Sequence, residues 1–222
     1  MNNVSKNVSL DCFADKIFPL YETLTQDKEW RVRKTCADVV AEIAKVSPLE
    51  RKSAELQTLY YRFLLDPSSK IVRGTAFQNI GPFIASFKDV ASIDSRITNF
   101  FVNTTSKTNN KDVCYYASYN FPAFIYVTGK DEWATFRDLY IKLTSVNDPQ
   151  TKRTLACSIH EIAKILGPDL TDTDLLPIAN KFLKDSNSEV KIGIMKNLHV
   201  LLAEVKPEKR STYIEYITET FS

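Results

Sequence analysis

The residues that first invite a chemical reading are Ser158, His160, Glu161 and Lys164, all within seven positions of one another. A hydroxyl, an imidazole and a carboxylate are the parts of a hydrolytic triad, and a His-Glu pair followed one helical turn later by a second His is the zinc-binding helix of metalloproteases. Position 164 is Lys, so the metal site lacks its second ligand. Residues at i, i+2 and i+3 of one helix do not all face each other, so no triad assembles locally. The chain has only 2 histidines, His160 and His199. Both are expected to pack against helices or to lie exposed, and no enzymatic activity is expected.

Cys12, Cys36, Cys114 and Cys157 stand 24, 78 and 43 residues apart, and none belongs to a C-x-x-C pair. Zinc is therefore not expected, and the thiols read as small buried hydrophobes. Neither a metal nor any other cofactor is anticipated. Tyr115, Tyr116, Tyr119, Phe121, Phe124 and Tyr126 crowd one segment and could form a stacking platform for nucleic acid. Helical spacing instead assigns Phe121 and Phe124 to a core face, leaving Tyr115 or Tyr119 as exposed partner contacts.

Composition narrows the classes further. The 222 residues carry 29 Lys+Arg against 27 Asp+Glu, with 44% hydrophobic residues, which is a globular balance with enough apolar side chain to bury a core. Only 5 glycines are present, where average usage would give roughly fifteen, so the phosphate loops of nucleotide enzymes are missing. A net charge of +2 falls short of a nucleic-acid footprint, so no nucleic acid is expected. Residues Met1 to Leu10 are polar, and no run of eighteen apolar residues occurs, so no membrane span and an intracellular, cytoplasmic and/or nuclear location are expected.

The elements that must position any site are helices. Apolar residues recur at helical spacing, as in Ile17, Leu20, Tyr21 and Leu24, and then Val32, Cys36, Val39, Val40 and Ile43. A turn motif then repeats: Asp27 leads to Val32-Arg33, Asp66 to Val72-Arg73, Asn109 to Val113-Cys114, Asp148 to Thr151-Lys152, and Asp185 to Val190-Lys191. The second members of these pairs are 40, 41, 38 and 39 residues apart. Behind each pair, apolar residues follow three, seven and ten positions on, as in Ala76, Ile80 and Phe83 or Ala117, Phe121 and Phe124. Five copies at such a period predict an all-α solenoid of about five helix pairs. The expected boundaries are a polar segment 1–12, then one solenoid 13–222 with repeats at about 13–47, 48–88, 89–129, 130–167 and 168–206. Residues 207–222 form the first helix of a partial sixth repeat, whose Tyr213, Tyr216 and Phe221 would be covered by further repeats or by self-association. Pro82 and Pro122 fall inside second helices, where kinks are expected.

The turn aspartates lie in separate repeats, so they do not form a metal or acid site. They are expected to cap the following helices and to meet the basic pair residues of their own or a neighbouring repeat: Asp27, Arg33, Asp66, Arg73, Asp148, Lys152, Asp185 and Lys191 make a structural ladder. The five turn windows sum to a formal +5 against +2 for the whole chain. Trp30, Arg31, Lys70, Lys111 and Arg153 are the candidate partner-binding edge, suited to an acidic protein surface.

The Asp then Val-Arg pattern at a period near forty is similar to the HEAT repeat. Four stretches resemble one family more closely: Trp30-Arg-Val-Arg-Lys-Thr-Cys-Ala37, Val72-Arg-Gly-Thr-Ala-Phe-Gln-Asn-Ile-Gly-Pro-Phe-Ile84, Lys152-Arg-Thr-Leu-Ala-Cys-Ser-Ile-His-Glu-Ile-Ala163, and Phe182-Leu-Lys-Asp185 with Val190-Lys-Ile-Gly193. They resemble regulatory subunit 1 of protein phosphatase 4, a relative of the scaffold subunit of protein phosphatase 2A, and the likeness runs from about Phe13 to Tyr216. The resemblance implies a non-catalytic regulatory or scaffold subunit that binds a serine/threonine phosphatase catalytic subunit and directs it to substrates, with further regulatory or substrate proteins as partners. An alternative is a HEAT-repeat adapter for another protein, such as a transport or chromatin factor. A DNA-binding helical-repeat enzyme would need an acidic catalytic residue in a strongly basic groove, and the sequence displays neither.

Overall fold

Amphipathic segments bounded by turn aspartates, asparagines and prolines fold as helices throughout, and the described residues contain no strand. The computed structural model describes residues 16–48, 50, 52–87 and 90–221. The expected polar segment 1–12, Cys12 and the start of the first helix at Phe13 lie outside them. Close contacts divide the chain into an N-terminal half, Met1–Asn103, and a C-terminal half, Thr104–Ser222.

In the N-terminal half, α1 (Phe18–Thr25) turns into α2 (Trp30–Val46), and α3 (Gln57–Leu64), entered through a π-type turn at Lys52–Leu56, turns into α4 (Lys70–Gln78) and α5 (Ile80–Ile84). A 3-10 turn at Val90–Ser92 leads to α6 (Ser95–Lys107), which runs across the division between the halves. The C-terminal half continues with α7 (Lys111–Thr128), α8 (Trp133–Thr144) and α9 (Pro149–Leu166). A short α10 (Pro168–Leu170) and a second π-type turn (Thr171–Leu175) open α11 (Leu176–Leu183), followed by α12 (Ser188–Met195), α13 (Leu198–Ala203) and α14 (Pro207–Phe221). The side chains of Tyr213, Tyr216 and Phe221 on α14 are outside the described residues.

Each pair closes through its core. The face three, seven and ten residues behind the pair is buried in every repeat except at Ile43, whose place inside is taken by Ala44. Tyr21 donates its hydroxyl proton to the Cys36 carbonyl at 2.9 Å and Tyr60 to the Ala76 carbonyl at 2.7 Å, so a first-helix phenol folds each first helix back onto its second. Tyr140 holds the corresponding position in the fourth repeat and is fully buried, but its hydroxyl has no partner among the described residues.

Second helices pack side by side: α2 against α4, α7 against α9, and α9 against α12. Gly193 permits the last approach, because a Cβ there would stand 3.1 Å from the Arg153 carbonyl oxygen and 3.2 Å from Cys157 Sγ. First helices are linked by polar contacts. Gln57 donates to the Ser92 carbonyl at 2.8 Å and accepts from the Asp94 N–H at 2.6 Å, while Trp133 Nε1 donates to Asp174 at 2.7 Å.

Proline does not account for every helix break. The second helix of the second repeat parts at Asn79, three residues before Pro82, as expected for a residue that removes a backbone donor. Helix α7 instead continues through Pro122 as one element, with Ser118 Oγ and Asn120 Nδ2 donating to the carbonyls of Cys114 and Tyr116. The fifth repeat breaks at Lys196–Asn197 with no proline nearby. Helices α7 and α9 end at Gly129 (φ 76°) and Gly167 (φ 78°), a backbone conformation that glycine adopts without strain.

Candidate partner-binding turn edge

The turns between first and second helices combine capping residues, the ladder and the exposed cations. Asp148 caps α9, accepting from the Thr151 N–H at 2.9 Å and its hydroxyl at 2.7 Å. The other three turn aspartates do not cap. Each stands too early, and a short carboxylate reaches only the N–H groups two or three residues ahead. Asp27 accepts from the Glu29 N–H, Asp66 from those of Ser68 and Ser69, and Asp185 from that of Asn187. Capping falls to Ser69 on α4, Asn110 on α7 and Asn187 on α12.

The ladder runs from the basic residue of one repeat to the aspartate of the next. Arg33 grips Asp66 with two parallel bonds, Nε to Oδ2 at 2.7 Å and Nη2 to Oδ1 at 3.1 Å, and both side chains are buried. Its Nη1 donates to the carbonyls of Asp27 and Lys28, and its Nη2 also meets Ser68 Oγ. The Arg33 guanidinium, aided by the Ser69 and Ser68 N–H groups, lowers the Asp66 carboxyl to about 2 against the push of burial. Lys152 Nζ meets Asp185 Oδ2 at 3.0 Å. Burial pushes the Asp185 carboxyl up, but the Asn187 N–H, Lys152 and, at longer range, Lys191 outweigh it and hold the carboxyl below its ordinary range. Arg73 Nη1 donates to the Asp66 carbonyl within its own repeat, and Asp27 has no ion-pair partner among the described residues.

The third repeat is wired differently, because Cys114 replaces the basic residue and is buried. Its place is taken from the opposite layer. Lys142, on α8 of the following repeat, donates to the carbonyls of Thr105 (3.0 Å), Ser106 (2.6 Å) and Thr108 (2.9 Å), satisfying the open C-terminal end of α6. Nothing in the turn motif signalled Lys142, since it lies on a first helix.

The exposed cations cluster at second-helix starts. In the N-terminal half, Arg31 stacks on the partly buried Trp30 ring at 4.9 Å, and Lys70 is the first residue of α4. In the C-terminal half, Lys111 is the first residue of α7, and Arg153 is exposed 3.4 Å from Glu189. Cations in the first turn oppose the helix dipole, at a cost of roughly 0.3–1 kcal/mol each. The helix field therefore gives no stability reason for Arg31, Lys70 and Lys111, whereas Arg153 is the fifth residue of α9, beyond the first turn, and is paired with Glu189.

The residues with a catalytic look are engaged within their own helix. Ser158 Oγ donates to the Thr154 carbonyl at 3.1 Å, and His160 Nε2 lies 2.7 Å from Glu161 Oε1. The described residues hold no group of three or more His, Cys, Asp or Glu able to bind a metal, and no described helix is long and apolar enough to cross a membrane. Tyr119 and Tyr126 stand exposed on α7 while Phe121 and Phe124 are buried, and Tyr115 and Tyr116 are partly buried.

Comparison with known proteins follows the same lines. Residues 117–220 match the family model of the protein phosphatase 4 regulatory subunit 1 middle domain, and residues 17–47 match the HEAT repeat. Over 114 residues the chain is 39% identical to serine/threonine-protein phosphatase 4 regulatory subunit 1 of Homo sapiens, and equally to that of Mus musculus. The alignment spans 51% of this chain and 12% of each relative's length. Among solved structures, a designed armadillo repeat protein superposes with a TM-score of 0.57 at 14% identity, covering 91% of this chain and 87% of its own. An engineered protein gives 0.56 at 18% identity, covering 89% and 86%. The fold is thus an α-solenoid of HEAT- and armadillo-like helix pairs, and the sequence resembles this phosphatase regulatory subunit.

Proposed function

Taking that resemblance as the premise, we propose that this chain is a non-catalytic regulatory or scaffold subunit that holds a protein phosphatase 4-like catalytic subunit and directs it to substrates. The observation that carries the reading is the turn edge. Its exposed cations Arg31, Lys70 and Lys111 sit where the helix field disfavours them and Arg153 stands one turn further on beside Glu189, while the Arg33–Asp66 and Lys152–Asp185 pairs of the ladder are turned inward. Charges that stability does not require suit complementarity to an acidic protein surface. Ser158 and His160, by contrast, are engaged within their own helix, and the turn aspartates lie in separate repeats. Cytoplasmic and/or nuclear residence accords with this role.

Affinity purification of the tagged chain followed by mass spectrometry tests the proposal. A phosphatase catalytic subunit enriched in the eluate is the expected result. Recovery of transport or chromatin proteins without one would favour an adapter of another kind.

A further inference from the structure

The N-terminal half contains a cavity of about 470 Å3 between its first two turns, lined by residues 25–28, Arg33 and residues 61–63 and 65–68. That volume is within the range of sites that take small ligands or a few side chains. The chemistry of its lining selects among occupants. Arg33 has no donor to offer an anion: its Nε, Nη1 and Nη2 are engaged by Asp66, Ser68 and the carbonyls of Asp27 and Lys28. A lone phosphate would find no free buried donor there.

The remaining lining is apolar and partly fixed. The Tyr61 ring is held by the Arg96 guanidinium, 5.0 Å from its centroid, and by the edge of Phe100 at 6.5 Å. Leu65 is 50% exposed, and Pro67 is also exposed. Lys28 and Arg62 add two exposed cations whose side chains have no ion-pair partner among the described residues. The Asp66 carboxylate is paired with Arg33, while Asp27 accepts only from the Glu29 N–H, so the two cations outnumber the one unpaired carboxylate of the lining.

We propose that this cavity docks a short segment of a partner protein in which one apolar side chain is flanked by carboxylates. The apolar side chain enters beside Tyr61, Leu65 and Pro67, and the carboxylates meet Lys28 and Arg62. A pre-held aromatic wall lowers the ordering cost of docking, and the cations set polarity and encounter rate. The inference rests on the turn edge being a partner surface, but not on the partner being a phosphatase.

The test titrates the full-length 15N-labelled chain with three synthetic peptides: leucine flanked on each side by two glutamates, the same peptide with serine for leucine, and leucine flanked by lysines. Amide shifts on residues 25–28 and 61–68, saturating only with the first peptide up to about 1 mM, are expected. The double charge reversal Lys28→Glu, Arg62→Glu should weaken binding about fivefold or more, and Leu65→Ser should weaken it comparably. All three positions are exposed, so the variants keep the fold. The proposal is overturned if the serine peptide binds as well as the leucine peptide, if inorganic phosphate competes, if the shifts lie elsewhere, or if the charge reversal changes nothing. A chain that binds the leucine peptide yet retains no catalytic subunit overturns the phosphatase reading and supports this one.

Discussion

Replacing Asp66 by Asn removes one partner of a buried pair while preserving shape. The Arg33 guanidinium is then left in a site where both side chains are almost wholly out of water. Breaking such a pair costs about 3–5 kcal/mol in general. Asparagine still accepts from the Ser69 N–H, and Arg33 keeps its two carbonyl partners, which places the expected loss at the lower end, about 3 kcal/mol at pH 6. The pH dependence gives an independent handle. The Asp66 carboxyl, ordinarily near 3.9, is lowered to about 2 in the folded chain by Arg33. A depressed folded value contributes stability above the unfolded value and loses it as pH falls from about 4 to 2, amounting to about 2–3 kcal/mol at ~1.4 per unit. Urea unfolding followed by circular dichroism at pH 6 and pH 2.5, for wild type and D66N, measures both quantities. The gap between the proteins should shrink to about 1 kcal/mol at pH 2.5, because the unfolded wild type then takes up a proton at Asp66 that the folded state still largely refuses. A gap below about 1 kcal/mol at pH 6, or one unchanged by acid, would refute the reasoning.

The paired phenols supply a sharper contrast: Tyr60→Phe should cost about 1 kcal/mol, whereas Tyr140→Phe should be neutral or stabilising, since it removes a buried hydroxyl with no partner. Equal losses in urea midpoint would show that Tyr140 is bonded after all. Lys142→Met should destabilise the C-terminal half by about 2 kcal/mol and raise hydrogen exchange at the end of α6, with no comparable change in exchange expected for a surface lysine such as Lys181. Gly193→Ala tests the approach of α12 to α9. Helix propensity alone favours alanine by up to ~1 kcal/mol, but the Arg153 carbonyl at 3.1 Å should make the change destabilising, so the sign of the shift in melting temperature decides.

The helical class and the period were legible because they are properties of spacing: the core face behind each Arg33-like position is a local pattern that needs no tertiary knowledge. The ladder partners Arg33 and Asp66 were legible as types, and Asp185 likewise, but which aspartate caps a helix depends on an offset of two or three residues within the turn. Asp148 has the right offset, and the other three do not. Lys142 was invisible for a different reason. It substitutes for the missing cation at Cys114 from another helix layer, and no regularity within one repeat connects the two. The cavity beside Tyr61 was hidden in the same way, since its lining comes from two successive turns and its apolar members read individually as ordinary surface residues.

The central claim, that the basic turn edge holds a phosphatase catalytic subunit, is tested most directly by one binding titration. The immobilised chain is exposed to purified protein phosphatase 4-type catalytic subunit, for wild type and for the triple reversal Arg31→Glu, Lys70→Glu, Arg153→Glu. The expected result is a submicromolar Kd for wild type, weakened about tenfold or more by the reversal, with the difference narrowing as salt is raised from about 50 to 300 mM. No binding up to about 10 µM, or equal binding by the triple variant, would contradict the claim; equal binding would move the interface to another surface such as the exposed Tyr119 and Tyr126 of α7.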